Sequence, residues 1–157
     1  MKMKNNIKLL LSDIYCTLFK IGNFKYMPGT LGSFIGLLVG IILKIIFPLT
    51  IYIFIIIIIT LVAFIMINIY QRTYGKEDRS EIIIDEFIGQ QIPLFLIEIS
   101  TLNIILMFVF FRVFDIYKIF PSNYIDKNYK NSFGIISDDI VAGIQASALI
   151  LLLYLLI

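Results

Sequence analysis

The 157-residue chain contains no histidine, no tryptophan and a single cysteine, Cys16. One cysteine cannot close a disulfide within the chain, and without histidine there is no His-ligated metal site, no Ser-His-Asp triad and no phosphohistidine chemistry. Cys16 also lacks the following arginine loop of a cysteine-dependent phosphatase, so it reads as a small buried apolar residue. Charge is scarce as well. Charged residues make up 15% and hydrophobic residues 60%, with a mean hydropathy of +0.97, where ordinary soluble domains run near roughly 25% and 45–50%. A soluble globule cannot bury that much apolar surface. Thirteen basic against eleven acidic residues leave a net charge of +2, too little to neutralise the phosphates of a nucleic acid. Nucleic acid is therefore not an expected partner, and any chemistry must come from carboxylates, lysine, arginine and hydroxyls.

What is present is apolar length. Runs long enough to cross the hydrocarbon, about 20 helical residues, occupy Thr30 to Phe47 and Thr50 to Tyr70, with Pro48 between them. The second run is rich in β-branched residues, but its length and lack of charge favour a lipid-facing helix over a strand. Met1 to Phe19 has the basic prefix of a signal peptide, yet Ser12 and Asp13 break its apolar run and no small-residue cleavage site follows. It is expected to be retained, with Ile7 to Ile21 as an amphipathic interfacial helix. From Ile82 to Tyr117 a long apolar stretch carries Glu98, Ser100, Thr101 and Asn103 in its middle. A hairpin fits this best: one helix from Ile82 to Ile97, a polar turn, and a second helix from Ile104 to Ile119. Ser137 or Asp138 would cap a last helix running to Ile157. The expected fold is all-α: a single membrane-embedded domain over residues 1–157, an integral membrane helical bundle of about five embedded helices plus the interfacial one.

The charges orient these spans. With a cytoplasmic amino terminus, the inner segments hold 12 of the 13 basic residues, all but Lys44, a strong positive-inside asymmetry. Ten of the eleven acids, all but Glu98, fall on or near the same face. Lys44 is expected to snorkel at the far end of its helix. The charged chemistry is expected at one membrane boundary, the cytoplasmic one.

Within a hairpin whose turn lies near residue 100, Asp85 and Glu86 stand opposite Asp115. Arg112, Asp115 and Lys118 recur at intervals of three on the second arm, and Asp138 with Asp139 open the last helix at the same level. As ordinary water-facing helix ends these residues would need no partner. Three acidic clusters at one depth point instead to a shared cation, because crowded carboxylates repel. Oxygen ligands without histidine or a thiolate pair favour Mg²⁺ or Mn²⁺ over zinc. Such an ion would polarise a phosphoryl group or activate water, with Arg112 and Lys118 as clamps on the phosphate oxygens. In "KYMPGTLGS", residues 25–33, Pro28 and Gly29 read as a turn and Thr30 as a helix cap whose backbone donors could hold an anion. Lys25 adds charge there, although a plain helix start explains the segment as well. Gly32, Gly36 and Gly40 offer a smooth face for close helix packing.

Taken in order, "YMPGTLGS" (Tyr26 to Ser33), "EDRSEIIIDEFIG" (Glu77 to Gly89), "FRVFDIYKIFP" (Phe111 to Pro121) and "FGIISDDIVAG" (Phe133 to Gly143) resemble the phosphatidylglycerophosphatase A family. The resemblance implies a Mg²⁺-dependent lipid phosphatase of the bacterial inner membrane. Its reaction converts phosphatidylglycerophosphate to phosphatidylglycerol and phosphate at the cytoplasmic face. It implies that Asp85, Glu86, Asp115, Asp138 and Asp139 supply metal ligands or the base that activates water, and that Asp78 is a further acidic ligand. Arg112 and Lys118 would stabilise the phosphoryl charge, and the Pro28 to Thr30 turn would touch the head group. Attack by water and an aspartyl-phosphate intermediate are both open. Met27, Ile119 and the Asn131-Ser132 pair depart from the family's usual residues, but every charged position is intact. The expected partners are the lipid substrate and the membrane, with no obligate protein partner. The rival from another class is a divalent-cation transporter or an assembly subunit that only binds metal, which would place acids near mid-membrane.

Overall fold

The structure is a computed structural model that describes residues 2–75 and 79–156, with side chains from residue 7 onward. Asp78, expected as a metal ligand, lies outside the described residues. Those described are helical, with no strand among them: α1 (Lys2–Cys16), a 3-10 turn (Ile21–Asn23), α2 (Pro28–Ile46), α3 (Leu49–Tyr74), α4 (Ile84–Gly89), α5 (Gln91–Leu96), α6 (Thr101–Tyr117), α7 (Ser122–Asn128) and α8 (Ser132–Leu156). α2, α3 and α8 are each long and apolar enough to cross a membrane. α6, with 17 residues, reaches about 25 Å at 1.5 Å per residue. The outward faces carry exposed Phe54, Leu61 and Ile65, a surface suited to lipid and costly in water. The β-branched run is helical throughout α3, because a helix satisfies its own backbone polar groups where no water can.

The ends of these helices follow from local chemistry. Pro28 opens α2, where its missing N–H costs nothing, and Phe47 turns extended ahead of Pro48, as a residue before proline prefers. Ser100 caps α6, its side chain accepting from the Asn103 N–H at 3.2 Å. α8 starts earlier than expected. Asn131 accepts from the Gly134 N–H at 3.0 Å, so the cap is Asn131 rather than Ser137 or Asp138, and both aspartates lie well inside the helix. α7 was not expected, being short and polar.

One expectation about shape is revised. The first hairpin arm is not one helix but two six-residue pieces meeting at Gln90, each too short to cross a bilayer. Pro93 explains the break: it has no N–H to offer the Gly89 carbonyl four residues back. Helix α1 runs alongside α3, with Lys8 near Ile69 and Arg72 and the Tyr15 hydroxyl donating to the Ile59 carbonyl at 2.7 Å.

The broken α4–α5 unit is wedged against α2, α3 and α8. Gln91 holds it in place. Its Nε2 donates to the Gly36 and Phe87 carbonyls at 2.9 and 2.7 Å, and its Oε1 accepts from the Tyr52 hydroxyl at 2.6 Å. The glycine face of α2 permits this, since a Cβ at Gly36 would lie 2.8 Å from the Phe87 carbonyl oxygen. On the other side a Cβ at Gly89 would lie 2.7 Å from the Asp139 carbonyl oxygen, and one at Gly143 would lie 2.5 Å from that of Gly89. Helices α4 and α8 therefore cross with backbones nearly touching, which brings Asp85 and Glu86 beside Asp139.

Candidate active site

At the end of the bundle where α2 begins and α3 and α6 finish, a cavity of about 380 Å³ is lined, among the described residues, by five carboxylates, Asp85, Glu86, Asp115, Asp138 and Asp139, and three cations, Arg79, Arg112 and Lys118. Ligand oxygens of Asp85, Glu86 and Asp139 all lie within 4.8 Å of one another. Asp85 and Glu86 come from the first turn of α4, and Asp139 is the eighth residue of α8. Asp115, on α6, lies beside them, close enough for its charge to act on Asp139.

Arg112 holds Asp115. Its Nη1 donates to Asp115 Oδ2 and to the Ser33 hydroxyl at 3.1 Å, which in turn donates to the Gly29 carbonyl at 2.9 Å. The guanidinium is thus fixed between α6 and the first turn of α2, while its Nε is buried without a partner among the described residues. Gly29 lets this turn come close, since a Cβ there would lie 2.2 Å from Glu86 Oε1.

Lys118 serves a different pair. It ends α6 in the left-handed region at φ 44°, and that turn swings its ammonium to Asp138 Oδ2 at 2.7 Å and Asp126 Oδ1 at 2.9 Å. Burial alone would push Lys118 down, but its bonds to the two carboxylates hold it above the ordinary lysine range. Asp138 and Asp139 are adjacent on a helix and point about 100° apart. One therefore faces Lys118 and the other faces the acidic trio.

The trio is electrostatically costly as it stands. Burial pushes the Glu86 carboxyl above its usual range and the Asp115 charge adds to that, against the pull of a hydrogen bond from Asp85 and of Arg112. Glu86 Oε2 is buried without a hydrogen-bond partner among the described residues. Three carboxylates within reach of one point, one of them with an unused oxygen, form a donor set suited to a hard divalent cation.

Not every residue expected at the site reaches it. Lys25 is exposed, its ammonium 5.9 Å from the Tyr26 ring, and neither it nor Thr30 lines the cavity. Thr30 is the third residue of α2 and does not cap it: the helix starts at Pro28, with Met27 at the cap position. Met27, Pro28 and Gly29 form that stretch of wall instead. Sequence reasoning missed Ser33 and Arg79. Ser33 ended a motif already singled out, four residues after Gly29. Arg79 stood in a charged stretch that reads as a solvated connection.

The family model for phosphatidylglycerophosphatase A matches residues 14–154. The chain belongs to this family. Among curated relatives, phosphatidylglycerophosphatase A of Haemophilus influenzae is 34% identical over 129 residues, covering 82% of this chain and 79% of its own. The Escherichia coli K12 protein of the same name is 28% identical over 138 residues, covering 84% and 77%. A Bacteroides thetaiotaomicron protein, provisionally named a phosphatidylinositol-3-phosphatase, is also 28% identical, over 140 residues, covering 84% and 86%. No solved structure matches significantly. Membership makes this chain a phosphatase carried by membrane helices, and all four stretches that suggested the resemblance fall within the matched span.

Proposed function

We propose that the cavity removes the terminal phosphate of phosphatidylglycerophosphate, giving phosphatidylglycerol, at the cytoplasmic face of a bacterial inner membrane and with Mg²⁺ as cofactor. The observation that carries this reading is the convergence of Asp85, Glu86 and Asp139 within 4.8 Å, in a chain whose named relatives act on that lipid. These three carboxylates would hold the ion. Bound there, Mg²⁺ would offset their repulsion and withdraw charge from a phosphoryl oxygen.

The chain's own groups supply the rest. Arg112, locked by Asp115 and Ser33, presents a guanidinium whose Nε is left for a phosphoryl oxygen, and its fixed orientation costs no reordering during reaction. Asp115, beside Asp139, would accept the proton released as water attacks phosphorus and return it to the glycerol oxygen as that ester bond breaks. Lys118 neutralises Asp138 and ties α6, α7 and α8 at the cavity rim, a positioning role. Phosphoryl transfer depends mainly on placement and charge neutralisation, so a site without histidine suffices. The rival transporter reading is disfavoured by the distribution of acids. They gather at one end, and Glu98 at the other end is exposed.

The test is phosphate release from phosphatidylglycerophosphate by purified protein, with and without Mg²⁺, for the native chain and Asp139→Asn. Phosphatidylinositol 3-phosphate serves as a parallel substrate. Mg²⁺-dependent release by the native protein alone, with phosphatidylglycerophosphate preferred, is expected. No release by the native protein removes the proposed reaction, and equal release by both proteins removes Asp139 from the site.

A further inference from the structure

Among the described residues three cations line the cavity, and two are committed. Arg112 is paired with Asp115 and Lys118 with both Asp138 and Asp126. Arg79 differs. It has no carboxylate partner among the described residues, and its Nε is buried without a hydrogen bond. It is nevertheless held in place. Its Nη2 donates to the Tyr74 carbonyl at 2.7 Å, its guanidinium carbon stands 5.6 Å from the centre of the Tyr74 ring, and its own carbonyl accepts from the Ile82 N–H at 2.9 Å. A guanidinium anchored at one edge on the cavity lining, with its Nε unused, is arranged to turn to an anionic oxygen.

The substrate proposed above carries two phosphates, the terminal monoester that is cleaved and the diester that joins the head group to diacylglycerol. The monoester belongs at the carboxylate trio and Arg112. The diester needs a separate positive group, and Arg112 and Lys118 are already taken. We infer that Arg79 binds the diester phosphate and thereby selects lipids that carry a diester as well as a monoester over phosphatidic acid, which has no diester. This rests on the proposed reaction. Arg79 is a binding residue for the part of the lipid that does not react, so its loss should act on affinity rather than turnover.

The experiment compares the full-length native protein with Arg79→Gln and Arg79→Lys in mixed micelles. It measures KM and kcat for phosphatidylglycerophosphate and inhibition by two probes, phosphatidylglycerol, which keeps only the diester, and inorganic phosphate, which resembles only the released end. For Arg79→Gln, KM rises about tenfold, the worth of one hydrogen bond to a charged group, while kcat holds. Inhibition by phosphatidylglycerol weakens by the same factor, inhibition by inorganic phosphate is unchanged, and Arg79→Lys recovers part of the loss. A native KM in Arg79→Gln, a fall in kcat alone, or equal weakening of both inhibitors overturns the assignment. Should the native protein release no phosphate, the reaction is refuted separately. Retention of phosphatidylglycerol by native protein and Arg79→Gln in native mass spectrometry then decides Arg79: equal retention refutes it and loss in the variant supports it.

Discussion

The two ends of the helical bundle treat polar groups in opposite ways. At the far end polar side chains bond to backbone and to one another. Lys44, expected to snorkel, instead donates to the Leu94 and Ile97 carbonyls at 2.6 Å and closes the end of α5. Asn103 donates to the Glu98 carbonyl at 2.8 Å and accepts from the Tyr154 hydroxyl. At the cavity end, carboxylates from α4, α6 and α8 crowd together, and Glu86 Oε2 and the Nε atoms of Arg79 and Arg112 are buried without partners among the described residues. Polar groups that satisfy one another hold helices together. Those held close yet unsatisfied are poised for a ligand.

The contrast is broken most sharply by Asp139→Asn. It should lower phosphate release at least ~100-fold, the scale of losing a key electrostatic group, while the thermal midpoint without divalent ions holds or rises because one crowded charge is gone. Loss of stability together with activity would place Asp139 among the structural groups. Next comes Gly89→Ala. The added methyl meets the Asp139 carbonyl and the Phe111 ring at 2.7 and 2.8 Å, so overpacking should cost about 1–3 kcal/mol and separate the trio, reducing activity as well, as thermal unfolding and phosphate release would record. Lys44→Met should do the reverse of Asp139→Asn. Leaving two carbonyls unsatisfied costs of order 1 kcal/mol in denaturant unfolding, with turnover per folded molecule close to native. The smallest effect concerns Asp126, whose carboxyl is held below its ordinary range: burial would raise it, but bonds to Lys118 and Lys130 outweigh that. A depressed folded value means its contribution is full above the unfolded Asp value of about 3.9 and fades as pH falls through the folded one. The thermal-midpoint gap between native protein and Asp126→Asn should therefore be present at neutral pH and close in acid. A gap that persists unchanged would show that the ion pairs contribute nothing.

Much of this was legible in residues. Apolar length gave α2, α3 and α8, since a bilayer demands about 20 uninterrupted residues whatever their helix propensity. The one-sided charge placed Asp85, Glu86, Asp115 and Asp139 at a common depth, and spacing put Arg112 beside Asp115. Other features depend on tertiary packing. The break at Gln90 was signalled by Pro93, but the continuous apolar pattern outweighed it. The start of α8 depended on the Asn131 side chain and on a short polar helix, α7, with no apolar period to announce it. Arg79 could not be told from a solvated arginine until α3 and α4 brought Tyr74 and the cavity wall together. Thr30 and Lys25 were drawn in by a turn that the structure uses as the first residues of α2.

On the proposed reading, Asp85, Glu86 and Asp139 grip one divalent cation. Titration of the purified protein with Mn²⁺, followed by electron paramagnetic resonance with Mg²⁺ as competitor, tests it directly. Saturable binding that Mg²⁺ displaces is expected in the native protein, with its loss in Asp85→Asn, Glu86→Gln and Asp139→Asn alike. Undiminished binding in all three variants, or none in the native protein, would contradict it.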